Sequence, residues 1–321
     1  MPSQDRRFMI APTGPFSLAQ AASFGFGPRE AEAGGAMRLA FAADGSGIPT
    51  GVTLREASDG TIEGEVAGDA SIEDVREQVA RILSLEHDGD AWQDVGRRDP
   101  VLGELQTRFP GLRPVLFHSP YEAATWAVIV ARSSRAQAKK VRRTIAERHG
   151  GTFELAGETL AAFPSAEALL EIDEPIPSLT NEKRLRLQGI ARAELEGRLD
   201  VAHLRELGPE GALAELQELR GIGPFSSSLI VLRAVGFTDV LPVDQPVVQR
   251  AVEHAYAITE PLTAKQFAEL AEPWRPFRTW ATVLLRIAGD RAGATAHTRY
   301  EARNSSAAAA ATSRPHTSES T

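Results

Sequence analysis

At 321 residues the chain is long enough for one large core or two ordinary ones, and 42% hydrophobic with 24% charged residues is the composition of a soluble globular protein. It has no cysteine, which excludes disulfides, a thiol nucleophile and any cysteine-held zinc or iron–sulfur centre. The formal net charge of −8 argues against a uniformly basic surface, but the deficit is local: residues 1–100 hold 9 Arg and no Lys against 17 acidic residues, and the remainder is neutral.

The opening MPSQDRRFMIAPTG has no apolar run long enough for a signal peptide, and no segment approaches a membrane span, so a cytoplasmic protein is expected. Residues 1–36 are rich in Gly, Ala and Pro, with Phe16, Phe24 and Phe26 as their apolar features. Alternation at Met37, Leu39 and Phe41, at Val52 and Leu54, and at Ile62 and Val66, with Gly/Asp/Pro clusters between, predicts a small antiparallel sheet. Ser71 is placed to cap a helix whose stripe of Ile72, Val75, Val79, Ile82 and Leu83 covers that sheet. Residues 1–105 are therefore expected to form a small α+β N-terminal domain.

From there the chain reads as an all-α domain, 106–290, in two helical subdomains with a cleft between them. Ser119 precedes Pro120 as a helix start, and Ser133 and Ser134 mark an interruption before a basic helix carrying Arg135, Lys139, Lys140, Arg142, Arg143 and Arg148. Residues 151–176 read as a Pro-broken connection with short helices. Leu179 to Gly197 holds Lys183, Arg184, Arg186 and Arg192 on another helix. Further helices are expected over 201–207, 211–219, 246–256, 263–271 and 277–288. The tail 291–321 has small residues and no apolar pattern and is expected to be disordered.

The most informative stretch is LQELRGIGPFSSSLIVLRAVGFTDVLPVDQPVVQR, residues 216–250. Leu213, Leu216 and Leu219 mark a helix that stops at Gly221. Gly221-Ile222-Gly223 is a tight bend, and Pro224 suits the first position of a second helix, which Gly236 ends. The bend amides and the second helix N-terminus point at one spot, which suits an anion such as a DNA phosphate. Arg220, Gly221, Ile222, Gly223, Phe225 and Ser226 are the candidate contacts there, with Arg132, Ser133 and Lys183 as candidate DNA contacts from the helices before it. Asp244 follows at the mouth of the next helix. Two plainer readings compete: a simple turn between helices, and a plain helix N-cap at Asp244.

The pattern L-x-x-L-x-G-I-G, a helix, then P-V-D resembles the helix–hairpin–helix–GPD superfamily of DNA base-excision glycosylases, most of all its 3-methyladenine DNA glycosylase II branch. Phe109-Pro110-Gly111-Leu112-Arg113 and Glu272-Pro273-Trp274-Arg275-Pro276-Phe277-Arg278 extend the likeness over most of residues 10–290. The resemblance implies that Asp244 is the catalytic carboxylate. It also implies a monofunctional enzyme, because the Lys that bifunctional members carry as G-x-G-x-K is absent from Gly221-Ile222-Gly223-Pro224-Phe225. It implies a wedge near Arg132 that fills the gap left by a flipped base, a base pocket with Phe225, Trp126 and Leu229 in its wall, and room for a monovalent cation at the bend carbonyls. No other cofactor is expected. Gln245 and Arg286 stand where relatives place pocket aromatics, and Tyr121, Trp274, Phe277 and Trp280 compete between pocket and core. His118 and His254 show no metal-ligand spacing. The expected partner is double-stranded DNA with a damaged base, bound by a monomer. A non-catalytic DNA-binding module and a glycosylase for a different damaged base are the alternatives.

Overall fold

The structure, a computed structural model, describes residues 6–23 and 35–290; the tail 291–321 and Phe24 and Phe26 lie outside the described residues. No described helix is long and apolar enough to cross a membrane.

Strands β1 (Arg7–Ile10), β2 (Met37–Ala42), β3 (Pro49–Glu56) and β4 (Ile62–Ala67) form one antiparallel sheet in the order β1-β4-β3-β2. Leu39 lies opposite Val52, and Val52 opposite Val66, so the apolar side chains of three strands fall on one face. Strand β1 was not legible as a strand, because four residues show too little alternation. A short helix α1 (Leu18–Ala22) follows it. Helix α2 (Ile72–Ile82) starts where the Ser71 hydroxyl accepts the Asp74 N–H at 3.4 Å, and Val75, Val79 and Ile82 are wholly buried. Helices α3 (Gly89–Arg98) and α4 (Pro100–Arg108) complete this part.

Ser119 accepts the Glu122 N–H to open α5 (Pro120–Val130), and Ser134 accepts the Gln137 N–H to open α6 (Arg135–His149), both as the sequence suggests. The region expected to be wholly helical contains a β-hairpin, β5 (Thr152–Leu155) and β6 (Glu158–Ala161), which corrects the reading of 151–176 as a connection with helices alone. Its turn is the two residues Ala156 and Gly157, both at positive φ, the geometry that matches strand twist. Ala-Gly is a weak turn signal, so the strands were missed. The hairpin lies on the sheet: Arg38 donates to the Leu155 and Ala156 carbonyls, and Phe153 rests on Gly51, where a Cβ would come within 2.7 Å of the ring.

Helices α7 (Ala166–Leu170), α8 (Asn181–Leu195), α9 (Val201–Glu206) and α10 (Gly208–Gln217) lead to α11 (Pro224–Ile230). That helix continues as one π turn, Val231–Val235, and stops at Gly236. Then come α12 (Pro246–Ala255), α13 (Ala264–Leu270) and α14 (278–290).

Two hydrophobic cores result. One, from Tyr121 to Val235, is contiguous in sequence. The other joins the sheet and α2–α4 to Val248, Val252, Phe267, Trp274, Phe277, Trp280 and Leu284 from the C-terminal helices. Trp92, Phe277 and Trp280 stack with centroids 4.8–5.9 Å apart, so Trp274, Phe277 and Trp280 are core residues and not pocket walls. Tyr121 is core as well, donating to the Pro164 carbonyl at 3.1 Å. Asp99 ties the C-terminal helices down: Oδ1 caps α4, and Oδ2 accepts the Tyr256 hydroxyl at 2.6 Å and the Trp274 indole N–H at 2.8 Å.

Polar staples join the two cores. The π turn leaves its last carbonyls without helical donors. Phe117 N–H donates to the Arg233 carbonyl, Arg81 to that of Ala234, and Arg205 to that of Val235. His118 is one of a buried triad, its Nδ1 3.2 Å from Glu122 Oε1, with Arg142 2.6 Å from Oε2. Burial pushes the Glu122 carboxyl up, but the charges of His118 and Arg142 outweigh it and hold it at about 2.

Glu194 has the opposite balance. Burial, then the charges of Asp44, Asp200 and Glu167, raise its carboxyl from 4.5 to about 7. A raised carboxyl binds its proton more tightly in the folded chain, so its contribution is intact below pH 4.5 and is lost as pH rises through 7. Glu194→Gln is therefore expected to stabilise the protein by about 1–3 kcal/mol at pH 8 and by little at pH 5. Thermal melts at the two pH values check this, and an equal shift at both would refute it.

Candidate nucleic-acid interface

Helix α10 ends at Gln217, and the bend that follows is closed by the Ile222 N–H donating to the Leu219 carbonyl at 2.9 Å. Ile222 is buried and plugs the bend into the second core, while Arg220, Gly221 and Gly223 stay exposed. Gly221 has φ +103°, a conformation that side chains resist, and a Cβ there would meet Arg186 Cδ at 3.1 Å and Val128 at 3.5 Å. Gly221→Ala is expected to cost about 1–2 kcal/mol, read as a lower urea midpoint. An unchanged midpoint would mean that the bend does not need glycine.

Gly223 caps α11 with no side-chain hydrogen bond, and Pro224 fills the first position, so the amides of Phe225 and Ser226 are left at the open end of the helix. Phe225 is 69% exposed. Leu229, one turn on, is half-buried on the same face, and Trp126 is half-buried on α5, which packs against α11.

The other predicted contacts gather beside the bend. Arg132 is exposed at the tip of the 131–134 loop, at φ +54°. Ser133 donates its N–H to the Val130 carbonyl. Lys183, in the first turn of α8, does not point outward: its Nζ donates to the Ile129 carbonyl at 2.7 Å and to Ser133 Oγ at 2.9 Å. Burial, then the charge of Arg186, lowers its pKa. The same helix end reaches the bend, because Glu182 pairs with Arg186 at 2.5 Å and lies 3.9 Å from Arg220.

Asp244 is exposed, and its carboxylate takes part in no hydrogen bond or ion pair among the described residues. It does not cap α12. The cap position is Gln245, and no side chain caps that helix, so the plain N-cap reading is set aside. Gln245 instead donates its side-chain amide to Ser228 Oγ at 3.0 Å, which sets the Asp244 turn against α11, one turn beyond the bend. The approach to Asp244 is pinned from the other core. Arg278 donates to both the carboxylate and the carbonyl of Asp239, Arg275 pairs with the same carboxylate at 2.7 Å, and Thr279 brackets Val240 on both sides. Sequence reasoning missed Asp239 and Arg81 as supports, since nothing in local spacing marks a partner 39 or 153 residues away. Arg286, on α14, is about a quarter exposed and 3.8 Å from Asp290; burial, against the charge of Asp290 and with that of Arg135, lowers its pKa. No group of three His, Asp or Glu among the described residues is arranged to hold a metal ion.

The arrangement sets a bend with open backbone amides near a carboxylate that has no partner among the described residues. An amide bend of this kind grips a phosphate without reading sequence, and a free carboxylate at the adjoining helix mouth can stabilise a positive charge held against it.

No protein-family profile matches the chain. It is 24% identical over 217 residues to the DNA-3-methyladenine glycosylase of Bacillus subtilis, covering 65% of this chain and 72% of that protein. Among solved structures, the 3-methyladenine DNA-glycosylase of Archaeoglobus fulgidus superposes with a TM-score of 0.71 at 27% identity, over 87% of this chain and 97% of the other. The Clostridium acetobutylicum 8-oxoguanine glycosylase/lyase in complex with DNA superposes with a TM-score of 0.63 at 18% identity, over 86% and 92%, a likeness of fold alone.

Proposed function

We propose that this chain, a helix–hairpin–helix DNA glycosylase by fold and likeness, binds duplex DNA, extrudes an alkylated base of the 3-methyladenine type and hydrolyses its N-glycosidic bond, leaving an abasic site. The observation that carries the reading is Asp244: exposed, unpaired, pinned by residues of both cores, and set against the helix that opens at the bend.

The chemistry follows from the groups present. The bend amides hold the backbone beside the lesion, and extrusion costs a few kcal/mol, least for a damaged base. The C1′–N bond breaks with its electron pair leaving on the base. A base made cationic by alkylation departs neutral, so no general acid is required. The sugar is left as an oxocarbenium ion, which the Asp244 carboxylate stabilises and shields. Water adds to C1′, and its proton passes to Asp244 or to solvent. With Phe225 at the position where a bifunctional enzyme has its Lys, the Schiff-base route is closed there, and the reaction ends at the abasic site. Phe225, Leu229 and Trp126 supply apolar surface for the extruded base, and Arg132 is the group placed to enter the gap.

The bend fits a monovalent cation: the Arg220 and Gly221 carbonyls accept no backbone hydrogen bond among the described residues. Held there, such an ion adds positive charge next to the phosphate.

The test is a panel of duplexes, each with one damaged base, incubated with the protein and assayed for free base. Release of 3-methyladenine or a related alkylated base is expected. Binding without release from any duplex would favour a non-catalytic DNA-binding module, and release of oxidised or deaminated bases alone would change the substrate.

A further inference from the structure

Lys183 reads from the sequence as a candidate DNA contact, and the structure gives its ammonium a different task. Helix α5 ends at Val130, and its Ile129 carbonyl has no backbone donor, because the Ser133 N–H that would serve it bonds the Val130 carbonyl instead. Lys183 Nζ fills that vacancy at 2.7 Å and takes Ser133 Oγ at 2.9 Å, so one side chain closes the loop from its two ends. Between these anchors sits Arg132 at φ +54°, a left-handed conformation that a non-glycine residue holds only under constraint. The backbone of Lys183 is itself fixed, since its main-chain N–H donates to the Thr180 cap at 3.2 Å. One turn on, Arg186 packs against Gly221 of the bend. The first turns of α8 therefore brace both the bend and the 131–134 loop.

We infer that Lys183 is a positioning residue: it holds the 131–134 loop so that Arg132 is aimed into the duplex, and it does not bind a phosphate itself. The inference rests on the glycosylase reading only for what the loop does on DNA.

Two variants test it. Lys183→Met keeps the stem and removes the donors, and Lys183→Arg restores donors. In the DNA-free protein, amide exchange over residues 129–135 is expected to rise about tenfold in Lys183→Met and to stay near wild type in Lys183→Arg. On duplex DNA, Lys183→Met is expected to keep the wild-type dependence of affinity on salt, whereas a lost phosphate contact would flatten the log–log slope by about 0.9. Single-turnover base release is expected to fall about tenfold while duplex affinity stays within about threefold, with rescue by Lys183→Arg. Adding Ser133→Ala to Lys183→Met is expected to change exchange no further, because the two groups share one bond. Unchanged exchange together with a flatter salt slope would overturn the inference. Wild-type protein that releases no base from any duplex would overturn the glycosylase reading instead and leave the exchange result to be judged by itself.

Discussion

Asp244→Asn is expected to cut base release about a hundredfold to a thousandfold while duplex affinity stays within about threefold of wild type. The substitution keeps size and shape and removes only the negative charge. No contact is lost, because the carboxylate has no hydrogen bond or ion pair among the described residues, so the urea midpoint should not fall. It is expected to rise slightly or stay level, since an unpaired carboxylate at a constrained turn contributes nothing to folding. The charge matters only once the glycosidic bond begins to break and the sugar becomes positive. That is the pattern of a group acting on the transition state: kcat falls and KM does not. Single-turnover assays at saturating enzyme separate the two. A variant that releases base at the wild-type rate would remove Asp244 from the chemistry.

Arg81→Met is expected to destabilise the protein by about 3–5 kcal/mol, the cost of stripping a buried charged network of one partner. Arg81 is 3% exposed and sits where the two cores meet. Its guanidinium donates to the Ala234 carbonyl at 2.8 Å and to the His118 carbonyl at 2.6 Å, and it pairs with Asp44 Oδ2 at 2.6 Å. Burial raises the Asp44 carboxyl and the charge of Arg81 partly offsets it, so the variant should raise that carboxyl further. Gln78 still donates to the His118 carbonyl and to Asp44, but the Ala234 carbonyl at the end of the π turn loses its donor. The loss is measured as a lower urea midpoint at unchanged slope. A cost under about 1 kcal/mol would show that the junction is held by packing alone.

How much of this was legible depended on range in sequence. The helix starts at Ser71 and Ser119 were readable because a cap bonds an amide three residues on. The bend was readable because glycine, proline and an apolar plug fall within four positions. That Asp244 is unpaired was not readable, since only coordinates show that Gln245 holds the cap position. The β5–β6 hairpin was hidden by an Ala-Gly turn, and the C-terminal tryptophans stayed ambiguous between pocket and core because composition does not say which way a ring faces. Lys183 was read as a DNA contact, and its partners, which lie 54 and 50 residues away, left no local trace. The supports of the Asp244 turn have no local trace at all.

Trp274, Phe277, Trp280 and Leu284 share one core with the sheet and α2–α4, although they lie far later in the chain. During synthesis the middle body, from Tyr121 to Val235, can close on its own residues, while the N-terminal core waits for its C-terminal share to emerge. A chain cut before α12 should therefore clump rather than yield a smaller working protein. A chimaera built from two relatives should survive only when both ends come from the same parent.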